Sequence, residues 1–192
     1  MKRRNMVLGV LAAAVFVPAS ILAFVKPLRA AAPQFVPGVH CVDSGICIDD
    51  MSRLEQARTL YSAAVDATSR KVGPFHKPPS VVFCATNACR EDFGLGNRAA
   101  AAVADWGVAI APRGWKPYFV VHELIHFRQA EELGNIALLR KPKWLIEGMA
   151  YSLSDDPRRP LTQPFEDWRS RFEAWNAARG DAGLWQAADR VE

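Results

Sequence analysis

Between Asp50 and Lys71, Leu54, Ala57, Arg58, Tyr61, Ala64 and Val65 recur at spacings of three and four. This period predicts an amphipathic helix, with Asp49 or Asp50 as its cap and Gly73-Pro74 as its stop. Downstream the pattern changes. Ser80 to Cys84 is a short, nearly continuous apolar run, as is Trp106 to Ala111 closed by Pro112-Arg113-Gly114, and each predicts a buried strand. Pro117 opens a helix reaching about Leu133, where Gly134 takes the C′ position. Pro142 opens another, through about Leu153, and Pro157 and Pro160 end it. Phe165, Trp168, Phe172 and Trp175 again follow the helical period, so 164–178 predicts an amphipathic helix lying across the domain. No segment repeats. Few strands among several helices point to an α+β fold.

Ahead of these elements, Met6 to Val25 carries no charge and follows Lys2-Arg3-Arg4. Such a run is long enough to cross a hydrocarbon core of about 30 Å as a helix. It predicts a signal-anchor over 1–25 in preference to a cleaved signal, since Val17-Pro18-Ala19 and Ala30-Ala31-Ala32 before Pro33 are poor cleavage sites. Three basic residues before the span and two after it place the domain outside the cell membrane. Pro27, Pro33 and Pro37 predict an extended linker over 26–40, with the working domain at 41–192.

Composition sharpens this reading. The 192 residues have a net charge of +4. Residues 1–32 hold five basic and no acidic side chains, which leaves 19 Lys and Arg against 20 Asp and Glu in 33–192, a net of −1. The basicity belongs to the anchor. A near-neutral body without a basic run has no counterion-release surface, which excludes a nucleic-acid partner. Cys41, Cys47, Cys84 and Cys89 allow three disulfide connectivities, of which the local one, Cys41–Cys47 with Cys84–Cys89, is simplest. Neither pair has CxxC spacing, and small clips of this kind suit an oxidising, exported setting.

The chemistry concentrates in His122-Glu123-Leu124-Ile125-His126, inside the helix that Pro117 opens. Four residues turn a helix by about 400°, so both imidazoles leave one face and can bind one Zn²⁺. Glu123 lies about 100° aside, where a carboxylate can take a proton from zinc-bound water. Glu147, within Trp144-Leu-Ile-Glu147-Gly-Met-Ala-Tyr151, supplies a third ligand from the next helix. A carboxylate in so apolar a surround is expensive unless paired or bound to metal. Gly148 beside it predicts close packing of these two helices.

His122-Glu-x-x-His126 with Trp144-x-x-Glu147-Gly-x-Ala resembles the gluzincin type of zincin metallopeptidase over about 40 residues. The arrangement also resembles small exported bacterial zincin-like proteins. The resemblance implies a minimal zincin-like α+β domain, with a short mixed or antiparallel sheet, an active-site helix and a downstream ligand helix. It further implies one Zn²⁺ on His122, His126 and Glu147, with Glu123 catalytic. It places Trp106 to Ala111 as the edge strand beside the substrate backbone. The aspartate that follows the ligand glutamate by one turn in thermolysin-like members is replaced here by Tyr151. Asp155, two turns after Glu147, is the candidate to orient the first histidine. Tyr151 is a candidate oxyanion donor or a packed core tyrosine, and His40 and Arg158 are further candidate donors.

The expected function is that of an exported, membrane-anchored zinc hydrolase, foremost a peptidase acting on polypeptide. The alternatives are an inactive zincin-like assembly module of the envelope, and a zinc amidase on a non-peptide envelope polymer. The resemblance implies a bacterial inner-membrane location facing the periplasm, or secretion if the leader is cleaved. Oligomeric state stays open.

Overall fold

Parallel strand pairing at the centre of a five-stranded sheet organises the molecule. The computed structural model describes residues 25–42 and 45–192. The predicted signal-anchor therefore lies, apart from Val25, outside the described residues. Among those described, no helix is long and apolar enough to cross a membrane. The strands are β1 (His40–Val42), β2 (Ile46–Ile48), β3 (Val81–Phe83), β4 (Ala100–Val103) and β5 (Gly107–Ile110). Their order is β1-β2-β3-β5-β4. β2, β3 and β5 run parallel, and antiparallel β1 and β4 close the two edges.

Side chains alternate across this sheet. Ile46, Ile48, Val81, Phe83, Val108 and Ile110 enter one core with the main helices, while Cys47, Val82 and Ala109 enter a second core on the other face. Burial on both faces explains why β3 and β5 read as continuous apolar runs. The helices are α1 (Leu54–Val72), α2 (Asn87–Asp92), α3 (Pro117–Leu133), α4 (Asn135–Leu138), α5 (Lys143–Leu153), α6 (Phe165–Ala178) and α7 (Leu184–Asp189). α1 and α3 pack together on the sheet, α5 packs on α3, and α6 packs on α5.

Local chemistry sets these boundaries. The Asp50 carboxylate accepts from Ser52 N–H at 3.0 Å and caps the 3-10 turn that leads into α1. Asp49 instead binds the N–H groups of Ala85 and Thr86, tying the end of β2 to the end of β3. Gly134, at φ +79°, ends α3 in a conformation that favours glycine. Both disulfides are local: Cys41–Cys47 joins a directly opposed pair across β1 and β2, and Cys84–Cys89 clips the end of β3 to α2.

Three expectations change. Residues 26–40 are not an extended linker: Lys26–Ala31 and Pro33–Phe35 are 3-10 turns packed on the outer sheet face, burying Ala30 and Val36. Proline fixes φ but does not prevent burial of the alanine and valine between. Trp106 to Ala111 is not an edge strand, because β5 is flanked by β3 and β4, and β4 is the edge on that side. Gly148 does not serve the α3–α5 contact. A Cβ there would meet the Trp168 carbonyl oxygen at 2.2 Å, so the close approach is between α5 and α6.

Gly148→Ala must push α6 off α5 or bend it. Overpacking of this kind typically costs about 1–3 kcal/mol, and the backbone contact puts this case at the upper end. Urea unfolding of the variant is expected to show that loss as a lower midpoint with an unchanged slope.

Candidate metal centre

α3 carries His122 and His126 one turn apart, and α5 runs antiparallel beside it. Gln129 meets Ile146, His126 meets Glu147 and His122 meets Tyr151, so the register of the two helices is read directly from these pairs. His126 Nε2 lies 3.1 Å from His122 Nε2, and Glu147 Oε2 lies 3.7 Å from His122 Nε2 and 3.6 Å from His126 Nε2. Two vertices of a tetrahedron around zinc, with bonds of about 2.0–2.1 Å, are about 3.4 Å apart. The three edges bracket that value. His122, His126 and Glu147 could thus hold a metal ion, and their donor set of two imidazoles and one carboxylate suits zinc chemistry.

Electrostatics inside the group follow from its burial. Burial alone pushes His126 towards the neutral ring, but the Glu147 carboxylate outweighs it and raises the pKa to about 9. Burial likewise raises Glu147, and the His122 and His126 rings facing its carboxylate overcome this, holding the carboxyl far below its usual range. Without a metal, the proton held by His126 supplies the positive charge beside the Glu147 carboxylate.

Gln129 sets the orientation of His126. Its side-chain N–H donates to Ile146 C=O at 2.9 Å, which turns its carbonyl oxygen to His126 Nδ1 at 2.8 Å. Nδ1 therefore keeps its proton, and the proton that leaves on metal binding is the one on Nε2, whose lone pair then faces the centre. The sequence reading missed Gln129; its position three residues after His126, on the inner face of α3, is the signal that would have found it.

A cleft of about 670 Å³ opens over this group. Glu123, itself buried, lines it beside the ligands, as do Tyr151, Phe119, Phe165 and Trp168. The opposite wall is the segment from Asn97 to Ala102, which includes edge strand β4. Tyr151 packs edge-on against His122, with ring centroids 4.5 Å apart. Burial, with the Glu147 carboxylate second, pushes its phenol up to about 12, so it remains a hydrogen-bond donor at neutral pH.

The other predicted residues divide. Arg158 reaches the cleft. Asp155 does not orient a histidine: it is 77% exposed and ion-paired to Lys71 of α1 at 2.5 Å, at φ +56° just past α5. The left-handed turn at Asp155 sends its side chain outward, and the next carboxylate, Asp156, is the buried one; burial raises its pKa, but the hydrogen bonds it accepts from Arg158 outweigh this and hold it down. His40 lies on β1, exposed, at the far edge of the sheet from β4. The four cysteines are structural clips away from the ligands. No family model matches the chain, and no curated protein or solved structure matches it either.

Two outcomes follow for metal binding. His126 must release its proton to bind, so affinity for a divalent ion should rise about tenfold per pH unit from 7 towards 9 and level off above, as read by chelator competition. Gln129→Leu removes the partner of Nδ1 and should weaken the ion's affinity by about 10–100-fold with the fold retained, as read by the same titration and by circular dichroism.

Proposed function

We propose that the chain is a zinc-dependent hydrolase acting on polypeptide, exported and held at the membrane by its apolar leader. The observation that carries this reading is Glu123. A structural zinc site is closed by four protein ligands, whereas here three candidate ligands leave a position open and a second carboxylate, buried Glu123, faces the cleft beside them. A zinc ion there would act as a Lewis acid, polarising a substrate carbonyl and acidifying a water molecule.

The chain's own residues have distinct tasks in this reaction. Glu123 accepts the proton of the attacking water and passes it to the leaving amine. Tyr151, protonated and facing the cleft, donates to the oxygen on which charge develops. β4 offers an unpaired edge along the cleft, and its residues Ala100, Ala101 and Ala102 leave room for an extended chain to pair alongside. A backbone-pairing wall favours polypeptide over a non-peptide polymer, since a peptide's N–H and C=O groups match the strand edge. Two disulfides and the basic, apolar leader support export.

Glu123→Gln separates an enzyme from an assembly module with the same metal. Hydrolysis of a mixed peptide library should fall by about 10²–10⁴-fold while bound zinc, measured by atomic absorption, stays equimolar with protein. A protein that hydrolyses no peptide in either form overturns the reading.

A further inference from the structure

The cleft carries more positive charge than peptide hydrolysis requires. Arg98, Arg113, Lys143 and Arg158 line it, against the carboxylates Glu123 and Glu147. In the hydrolytic reading, a divalent ion offsets both carboxylates, and the four cations set the field that a substrate meets.

Arg158 differs from the other three in how it is held. The Asp156 carboxylate, 1% exposed, accepts from its backbone N–H at 2.9 Å, from Nε at 2.9 Å and from Nη2. The guanidinium lies over Phe119, 5.0 Å from the ring centre. Its backbone carbonyl accepts from Nη1 of Arg169, a fully buried side chain on α6, at 3.0 Å. The side chain is thus fixed before any ligand arrives, yet 45% exposed on the cleft side. Asp156 occupies the Nε and Nη2 edge, and Nη1 donates to no described residue. A guanidinium held in this way loses little rotamer freedom when it meets an anion. Phe119 precedes His122 by about one turn, and Lys143 precedes Glu147 by one turn on the antiparallel helix, so cations stand at both ends of the ligand set.

We propose that the cleft selects substrates bearing a carboxylate and that Arg158 reads it, positioned by Asp156, while Arg98, Arg113 and Lys143 draw the anion in. The proposal rests on the hydrolytic reading of the same cleft and names its substrate class. The carboxylate comes either from an acidic side chain near the scissile bond or from a free chain terminus. Recognition of this kind differs from oxyanion stabilisation: a donor to the developing oxyanion acts on every substrate alike, whereas a carboxylate reader acts only on those that carry the group.

The test uses zinc-loaded Glu123→Gln protein and three fluorescein-labelled octapeptides: a Glu/Ala peptide with an amidated end, its Gln/Ala counterpart, and the Gln/Ala peptide with a free carboxyl end. Fluorescence anisotropy should show one or both carboxylate-bearing peptides binding about 10–100-fold tighter than the neutral one, the range for a hydrogen bond to a charged group. Which arm gains identifies the source. The preference should fall below about threefold in Arg158→Gln, and equally in Asp156→Asn/Arg158→Gln, which leaves no buried carboxylate unpaired and guards against misfolding. In protein with Glu123 intact, Arg158→Gln should raise KM for the preferred peptide about 10–100-fold, and more than it does for the neutral one. Equal binding of all three peptides, or a preference that survives both variants, overturns the proposal. A carboxylate preference without hydrolysis by the Glu123 form overturns only the hydrolytic reading, and hydrolysis without charge preference overturns only the role of Arg158.

Discussion

Two imidazoles and a carboxylate, each within 3.7 Å of the others between two apolar helices, form a group that stays together only around a positive charge. A proton or a metal ion meets that need, and the facing of His126 and Glu147 marks the register of α3 against α5. Much of the surrounding structure secures the same register. Leu124, Ile125, Leu145, Met149 and Ala150 bury the inner faces, and the Gln129 side chain crosses between the helices to Ile146 C=O. A polar bridge inside such an interface is specific in a way that apolar contact is not, because a slip of one residue would leave both partners unsatisfied.

The sheet acts on this centre from one side and α6 from the other. β4 has small side chains and one unpaired edge, so it forms a wall without filling the cleft. α6 approaches α5 at Gly148, where Trp168 backbone occupies the space of a side chain, and this contact brings Phe165 and Trp168 to the cleft beside Tyr151. The buried Arg169 then reaches from α6 to the carbonyl of Arg158. One glycine contact and one buried cation therefore connect the last long helix to the charged end of the cleft.

Most of the helical scaffold was legible in the sequence because its signals are local. Pro117 and Gly134 bracket α3, Pro142 caps α5, and Phe165, Trp168, Phe172 and Trp175 repeat at the period of α6. The strands were less legible. β1, β2 and β4 span three or four residues each, too few to show alternation, and β4 is mostly alanine, which carries weak strand preference. Missing β4 moved the edge of the sheet by one strand, to β5. The 3-10 turns of 26–35 were read as a linker for a similar reason, since their burial depends on a sheet face that local pattern does not describe.

By itself the sequence singled out the three residues that could hold a metal ion. His122 and His126 share a helix face through backbone geometry alone, and Glu147 stood out as a carboxylate among apolar neighbours. It determined the local disulfide pairing as the simplest of three and located the excess positive charge in the first 32 residues. Only the tertiary structure decided which residues support the site from outside α3 and α5. Asp155 and Asp156 are adjacent in the chain, yet one pairs with Lys71 at the surface and the other anchors Arg158 at the cleft, a difference made by one positive φ angle. Ligands within a helix are placed by its 3.6-residue period, a local property. The residues that orient them and line the cleft are placed by loops and by helix-to-helix contacts between distant segments, and no local period encodes those.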